Sequence, residues 1–331
     1  MHNKETTPKI SVLLPVYNGA SWIAESIECV LSQSYPDFEL IIIDDGSKDG
    51  SWVEIGKYTD PRIRAIRQLN KGLAATLNVG IGLARAPYIA RQDQDDVLMP
   101  DRLEKQVAFL EENPSVAMVG TWAQVYVGTK PDDRFHRHPV SSDALRLRLL
   151  FDNPFVHSSV MMRTDVAREL GGYSEDKLRQ PPEDYEFWSR IARGHGVANL
   201  PEVLTVYREM PASMSRVGKN PFLSKLLRIS SENIYRALDG VYSQEDCLGL
   251  ASVYHHVWPR ASFKKRQALE MMDRLADAIG GPREQWSGEM LAEAPRLRRY
   301  IELRFLLRYI PKPLLLPLLK VRKFLREMVK A

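Results

Sequence analysis

Cysteine is scarce in this chain, and its scarcity excludes two common ways of stabilising a fold. Only Cys29 and Cys247 occur among 331 residues, far apart and without a Cys-x-x-Cys partner. Two isolated thiols support neither a disulfide framework nor a zinc site, and a reducing compartment fits them. Uncharged apolar runs of about 18 residues, which a membrane-spanning helix needs, are also lacking. The N-terminal MHNKETTPKI has no apolar segment of the signal-peptide kind, so we expect a cytoplasmic protein.

Positive charge is concentrated near the end of the chain. The net charge is +4, but residues 296–331 contain eleven Lys or Arg and two Glu, a balance of 11 − 2 = +9, which leaves 4 − 9 = −5 for the rest. Apolar residues are interleaved with these cations. The pattern predicts a basic amphipathic tail that lies on an anionic membrane surface, with the protein peripheral on the inner face of the membrane. The alternative is a helix packed on the core with its cations in water. We expect no nucleic-acid partner, because no recognised binding module accompanies the basic segment.

The first 120 residues alternate short apolar runs with helical patterns. Strands are predicted at 10–14, 40–43, 62–66, 88–90 and 115–120, and helices at 20–34, at 73–85 and after Pro100. This rhythm predicts an α/β fold with a doubly wound, mostly parallel sheet. The pattern is mixed from about residue 121, and after about 217 only amphipathic helices are predicted. We therefore expect a domain over 1–216, in halves of about 1–120 and 121–216, followed by an all-helical C-terminal extension over 217–331.

Polar clusters follow three of the predicted strands. They are Tyr17-Asn18-Gly19, Asp44-Asp45-Gly46-Ser47 and Asp93-Gln94-Asp95-Asp96. Ligands of doubly wound sheets bind at the carboxyl ends of the strands, so we expect these clusters to converge on one crevice.

The cluster at 93–96 is the most informative of the three. Three carboxylates in four residues repel one another unless a cation or strong donors compensate, and their oxygens suit Mg²⁺ or Mn²⁺. The alternative is an exposed acidic loop in which Asp96 or Asp101 caps the next helix. Likewise, Asp44-Asp45 is either a simple turn or a carboxylate that accepts a hydrogen bond from a nucleobase.

With these motifs in order, the sequence resembles the family 2 glycosyltransferases, which have the Rossmann-like GT-A fold. The matching stretches span residues 9–216 in the expected order. They are SVLLPVYNG (11–19), VLSQSY (30–35), FELIIIDDGSKDGS (38–51), NKGLAATLNVGIGLA (70–84), YIARQDQDDVLMPDRLEKQV (88–107), NPFVHSSVMMR (153–163), LGGYSED (170–176) and PEDYEFWSRI (182–191). Each motif is weak alone, but the ordered set is specific.

The resemblance implies a role for individual residues. The implied donor-binding residues are Pro15, Tyr17, Glu25, Asp44, Asp45, Asn70, Lys71, Gly72, Asn78, Asp93 and Arg208. Asp93 and Asp95 match the DxD metal motif, and Asp184 matches the catalytic base. The implied acceptor side contains His157, Glu183 and Trp188. Read without the family, Glu183-Asp184 is the first turn of a helix, His157 is structural and Trp188 packs in the core.

The implied activity is a metal-dependent, hexosyltransferase-type transfer that inverts the anomeric carbon. A nucleotide diphosphate sugar, expected to be a UDP-sugar, would donate to a hydroxyl of a glycan or lipid-linked glycan, with Mn²⁺ or Mg²⁺ as cofactor. Surface polysaccharide or lipopolysaccharide biosynthesis is the expected pathway class.

Two alternative functions remain at this stage. A sugar-phosphate nucleotidyltransferase shares a similar sheet but needs a GxGxR-type loop after the first strand, where this chain has Val16-Tyr17-Asn18-Gly19-Ala20. A non-catalytic sugar-nucleotide-binding membrane scaffold would not need both Asp95 and Asp184.

Overall fold

The chain forms two compact units. In a computed structural model, residues 7–210, 221–258 and 262–307 are described. One unit comprises residues 1–137 and 155–220, and the other comprises residues 138–154 and 221–331. We describe the two units separately, as the sheet unit and the helical unit.

The sheet unit is built on one nine-stranded mixed sheet. Its strands are β1 Ile10–Val16, β2 Phe38–Asp44, β3 Ile63–Arg67, β4 Tyr88–Arg91, β5 Val97–Leu98, β6 Val116–Val127, β7 Lys130–His136, β8 Met161–Arg163 and β9 Gly196–Glu209. The strand order is β3-β2-β1-β4-β8-β6-β9-β5, with β7 paired to β6. Strands β3, β2, β1 and β4 are all parallel, so their carboxyl ends meet at one edge.

Helices cover this sheet because their apolar faces need burial. They are α1 Ile23–Leu31, α2 Ser51–Ile55, α3 Leu73–Leu83, α4 Arg102–Glu112, α6 Thr164–Glu169 and α7 Glu183–Gly194, with a 3₁₀ turn at His157–Ser159. Every residue of β1 and β2 is buried, as expected for central parallel strands. Ile23, Ile27 and Val30 of α1 and Leu103, Val107 and Leu110 of α4 complete one core.

The predicted α/β fold with a mostly parallel sheet is confirmed, but the second half of the sheet is mixed. The strand predicted at 115–120 is the long β6, which is antiparallel to β8 and parallel to β9. β8 lies between β4 and β6, so the parallel order stops at β4. Long-range pairing of this kind leaves no signal in local periodicity.

The helical unit contains α5 Ser142–Leu149, α8 Leu223–Ala237, α9 Gln244–Tyr254, α10 Lys265–Gly280 and α11 Gly288–Leu307. Its core includes Leu147, Phe151, Leu250, Met271 and Leu297. The helical extension is thus confirmed for the described residues, and no strand lies in their part beyond residue 221.

The predicted domain over 1–216 remains a prediction, but one segment within that range lies in the helical unit. Residues 138–154, predicted in the acceptor half, group with the helical unit because α5 contributes to its core. Reciprocal capping secures this arrangement. The Glu289 carboxylate accepts from the N–H groups of Val140 and Ser141 at 2.7 and 2.6 Å, and Asp143 accepts from the Ser287 N–H and hydroxyl at 2.8 and 2.7 Å.

The start of the predicted basic tail lies within α11. Leu297, Ile301 and Phe305 are buried in the core of the helical unit. The alternative interpretation, a helix packed on the core, therefore applies to this part of the tail, while 308–331 lies outside the described residues. Within the described ranges no helix is both long and apolar enough to cross a membrane.

Candidate active site

Three loops meet at the carboxyl edge of the parallel strands, as the sequence predicted. The four consecutive N–H groups of residues 17–20 all donate to side chains, one in the acidic loop after β4 and three in the segment 47–51 after β2. Tyr17 donates to Gln94 Oε1 at 2.9 Å, Asn18 to Ser47 Oγ at 3.0 Å, Gly19 to Ser51 Oγ at 2.8 Å and Ala20 to Asp49 Oδ2 at 3.0 Å. Pro15 is buried in β1 just before this loop, and the side chain of Tyr17 stays 46% exposed.

Asp45 organises the segment 68–72 that follows β3. Its carboxylate accepts from the amide of Gln68 at 2.8 Å and from the N–H groups of Lys71 and Gly72, each at 2.9 Å. The amide of Asn70 donates to the Asp45 carbonyl oxygen at 3.0 Å. Gly72 has φ +86°, which glycine adopts without a Cβ penalty. The exposed residues Asn70 and Lys71 are thereby fixed beside Asp45.

Asp44 is fully buried at the end of β2. Its carboxylate pairs with Arg67 Nε at 2.9 Å and accepts from the Ser47 N–H at 3.2 Å. The two adjacent aspartates therefore serve different neighbours. Asp44 faces a cation on β3, whereas Asp45 faces the loop that carries Lys71.

The acidic loop after β4 is compensated by buried cations and donors. Arg91, which is 1% exposed, pairs with Asp93 at 2.6 Å. Asp96 is buried and accepts from the Arg208 N–H at 2.7 Å and from the Ser158 hydroxyl. Asp96 thus ties the acidic loop to Arg208 and Ser158 by hydrogen bonds. It does not cap the next helix, since no side chain caps α4.

The three carboxyl groups of this loop have different pKa values. Burial and the Asp93 charge raise the pKa of Asp95 to about 6. Burial likewise raises the pKa of Asp96 well above its usual range. The pKa of Asp93 is lowered, because the Arg91 guanidinium outweighs the burial that opposes it. Asp95 thus carries its negative charge at a cost, which a bound cation would relieve.

The fit of the site to a divalent metal ion follows from these groups. Among the described residues, no three His, Cys, Asp or Glu side chains are arranged to hold an ion. Mg²⁺ and similar ions commonly use one or two carboxylates and take their remaining ligands from phosphates and water. The half-buried Asp95, with Asp93 beside it, fits that sparse kind of site.

Arg208 brings a cation to the same loop from β9. Its guanidinium pairs with Glu25 at 3.1 Å and lies 4.4 Å from the centre of the Trp22 ring. Its charge also acts on the Asp95 carboxyl, whose pKa it lowers slightly against the larger effect of burial. Glu25 and Arg208, both predicted donor residues, are therefore direct partners.

Asp184 lies in the first turn of α7, next to Glu183. Burial, and then the charges of Glu183 and Asp93, raise the pKa of Asp184 to about 7. Asp93 raises the pKa of Asp95 as well, so Asp184 and Asp95 share one electrostatic neighbourhood. A carboxyl group with a pKa near neutrality suits a general base at physiological pH.

An aromatic cluster packs behind Asp184. His157 contacts the Tyr173 hydroxyl at 3.0 Å, and its ring lies 5.8 Å from that of Trp188. Burial and the Arg91 charge lower the pKa of His157 to about 3, so this histidine is neutral. Trp188 is fully buried and stacks on Phe187 at 5.3 Å.

Two predicted residues have structural roles here. Trp188, predicted on the acceptor side, is 0% exposed and packs in the core, as the interpretation without the family expects, and its acceptor role remains a prediction. Asn78, predicted beside the ribose and diphosphate, uses its amide to hold Tyr173, with bonds of 2.9 Å to the carbonyl oxygen and 2.8 Å from the N–H. Its donor-binding role remains a prediction.

The sequence alone indicated no role for Arg91, Gln94 or Tyr173. Arg91 was detectable in principle, since a cation two residues before a carboxylate at a strand end forms a ready pair. Gln94 and Tyr173 gave no such signal, because their contacts are to residues 77 and 16 positions away.

Comparison with known proteins identifies the family of this chain. The model of the family described as "Glycosyl transferase family 2" matches residues 11–171. The chain is 40% identical over 209 residues to the putative glycosyltransferase EpsE of Bacillus subtilis (strain 168). The matched region covers 61% of this chain and 73% of EpsE. The chain belongs to glycosyltransferase family 2. This glycosyltransferase is also 30% identical over 204 residues to the amylovoran biosynthesis glycosyltransferase AmsE of Erwinia amylovora, covering 60% of this chain and 75% of AmsE.

Solved structures support the fold of this family 2 glycosyltransferase. S. aureus TarS 1-349, in complex with UDP-GlcNAc, matches with a TM-score of 0.58 and 16% identity over 89% of this chain and 88% of TarS. The mannosyltransferase PcManGT of Pyrobaculum calidifontis, in complex with GDP-Man and Mn²⁺, matches with a TM-score of 0.51 and 16% identity over 91% and 86% of the two chains. At this identity the likeness shows the GT-A fold alone, and that fold was predicted. Divalent metal is thus present in at least one structure of this fold.

Proposed function

We propose that this glycosyltransferase moves a sugar from a nucleotide diphosphate donor to an acceptor hydroxyl, with inversion at the anomeric carbon. The observation that carries the proposal is Asp184, a carboxyl group with a pKa of about 7 in the same electrostatic neighbourhood as Asp93 and Asp95. A displacement of this kind needs a base on the acceptor side and positive charge on the diphosphate side.

Asp184 takes the proton of the acceptor hydroxyl as the new C–O bond forms. Its raised pKa brings the carboxylate closer in basicity to the hydroxyl than an ordinary aspartate, with a pKa of about 3.9, would be. Burial, with the charge of the adjacent Glu183, keeps that pKa raised. His157 and Glu183 border this acceptor side, where we place the incoming glycan.

The leaving diphosphate meets cations on the other side of the site. Asp95, with Asp93, would hold Mn²⁺ or Mg²⁺, which would supply positive charge to the departing phosphates. Lys71 and Arg208 add two cations. The Asp45 carboxylate holds the backbone N–H of Lys71, and Glu25 pairs with the Arg208 guanidinium. Asp45 and the exposed Tyr17 would contact the base, while the fully buried Asp44 stays paired with Arg67.

UDP is the proposed nucleotide, since TarS binds UDP-GlcNAc in its solved complex. Surface polysaccharide assembly is the proposed setting, since the relative AmsE is named for amylovoran biosynthesis. The acceptor would then be a glycan or a lipid-linked glycan. We further propose that the basic segment 308–331 docks a cytoplasmic enzyme on anionic lipid, supported by its charge and by the exposed Trp258 and Leu306 of the helical unit.

The bonding of the first loop argues against the nucleotidyltransferase alternative. Such an enzyme needs free N–H groups after β1 to cradle a triphosphate. Here the N–H groups of residues 17–20 all donate to protein side chains. The scaffold alternative gives no role to Asp184, whose burial costs free energy whenever the carboxyl group is ionised.

Calorimetry tests the assignment of the two carboxylates. UDP with Mn²⁺ should bind Asp184→Asn as tightly as the wild type, whereas Asp95→Ala should bind it at least tenfold more weakly, on the order of 1.4 kcal/mol. Both variants should lose transfer. Equal UDP affinity in the two variants would reject the roles.

Vesicle binding tests the membrane proposal. The full chain with Lys320, Arg322 and Lys323 changed to Glu should release from anionic vesicles that retain the wild type.

A further inference from the structure

The middle residue of the acidic motif makes a bond that joins two loops. The side-chain amide of Gln94 accepts from the Tyr17 N–H at 2.9 Å and donates to the Tyr17 carbonyl oxygen at 3.2 Å. One side chain thus satisfies both backbone groups of one residue, as a neighbouring strand would. Gln94 lies between Asp93 and Asp95, and Tyr17 lies beside the Asp44-Asp45 loop.

The neighbouring glycine leaves room for this bond. A Cβ added to Gly19 would lie 2.5 Å from Gln94 Oε1 and 2.7 Å from its Cδ, closer than real contacts allow. The clash would involve only the far end of a flexible side chain. Gln94 could swing away at little cost to the fold, but it would then lose Tyr17. Gly19 and Gln94 therefore form one unit with the Tyr17 backbone, which we call the Gln94 clasp.

We propose that Gln94 is a positioning residue. It holds the first loop, residues 17–20, and the acidic loop, residues 93–96, at the spacing that one nucleotide diphosphate requires. This inference rests on the proposed function. A nucleotide diphosphate would contact the first loop region with its base and the acidic loop, through the metal, with its phosphates. Its affinity depends on both contacts being available at once in a fixed geometry. A ligand that uses only one end does not need the clasp.

The expected effect is selective. Loss of two hydrogen bonds between the loops should weaken Mn²⁺-dependent UDP binding about tenfold in Gln94→Met, which keeps the length and volume of the side chain. The affinity for UMP, measured in EDTA, should change less than twofold in the same variant, because UMP does not span the two loops. A variant that merely unfolds or loosens the sheet unit would weaken both ligands. In steady state, KM for the donor should rise more than kcat falls.

A double-mutant cycle separates the clasp from general loop damage. Gly19→Ala should weaken UDP binding about as much as Gln94→Met, because it displaces the same amide. The double variant should be no weaker than either single variant, since the bond is already lost. Gln124→Met makes the same chemical change at a half-buried position on β6 and should leave UDP affinity unchanged. Additive losses in the double variant, or equal losses for UDP and UMP, would overturn the inference.

Hydrogen exchange tests the clasp without any ligand. The Tyr17 N–H should exchange faster in Gln94→Met than in the wild type, and Gln124→Met should match the wild type. Unchanged protection at Tyr17 refutes the clasp even if the enzyme transfers sugar. If instead the wild type binds no nucleotide diphosphate with Mn²⁺, the proposed function fails, and the positioning role fails with it.

Discussion

The pKa of Asp184 makes a prediction about stability that does not require a substrate. Burial first, and then the charges of Glu183 and Asp93, raise this pKa from 3.8 to about 7 in the folded chain. Between those two values the folded state binds more protons than the unfolded state, so stability falls as pH rises through this window. A shift of about 3 units corresponds to at most about 4 kcal/mol at pH 8. At pH 5 less than half of that penalty is present.

Replacement of Asp184 by Asn removes the charge and keeps a side-chain oxygen that can accept the Tyr185 N–H, which is now bonded at 2.8 Å. Asp184→Asn should therefore be more stable than the wild type at pH 8, and the gain should shrink by roughly 2 kcal/mol at pH 5. For a unit of about 200 residues, a difference of roughly 2 kcal/mol corresponds to about 4–8 °C in Tm. Thermal unfolding in EDTA at several pH values measures it without bound metal.

The exposed Asp37, changed to Asn, is the matched control in the same unit. Its effect on Tm should be small and should not grow from pH 5 to pH 8. If the gain of Asp184→Asn were constant with pH, or larger at pH 5, Asp184 would not carry the raised pKa. In activity assays of the wild type, kcat/KM should fall about tenfold per pH unit below the Asp184 pKa, because the base must be deprotonated.

Three further predictions concern other parts of the site. EDTA should abolish transfer, and Mn²⁺ should restore it in the wild type but not in Asp95→Ala; full activity in EDTA would exclude the metal site. Arg208→Ala should raise the donor KM about 10- to 100-fold, because a charge-assisted hydrogen bond contributes about 1.5–3 kcal/mol; an unchanged KM would assign Arg208 to Glu25 alone. Gly172→Ala should cost about 1–2 kcal/mol or more, because φ is +69° and the new Cβ would lie 2.4 Å from Asn78 Oδ1. Asn78→Ala, added to the Gly172→Ala variant, should recover only part of the lost free energy of unfolding, since the backbone strain at residue 172 remains. Urea unfolding measures both losses.

Local sequence determined much of the nucleotide half. Continuous apolar runs gave β1 and β2, because a central parallel strand is buried on both faces. The alternation of strand and helix then placed the polar clusters after β1, β2 and β4 at one edge of the sheet. These features follow from short-range periodicity and from the handedness of parallel connections, and both can be read without coordinates.

Tertiary structure alone decided the electrostatics and the division of labour among the polar residues. The raised pKa of Asp184 comes from burial against residues distant in sequence, and without that burial Glu183-Asp184 is only a helix first turn. Asn78 holds the backbone of Tyr173 through contacts that no local pattern encodes. Residues 138–154 joined the helical unit for the same reason. The sequence specifies which groups are present, but their pKa values and partners depend on which distant groups the fold brings near and how much water it removes.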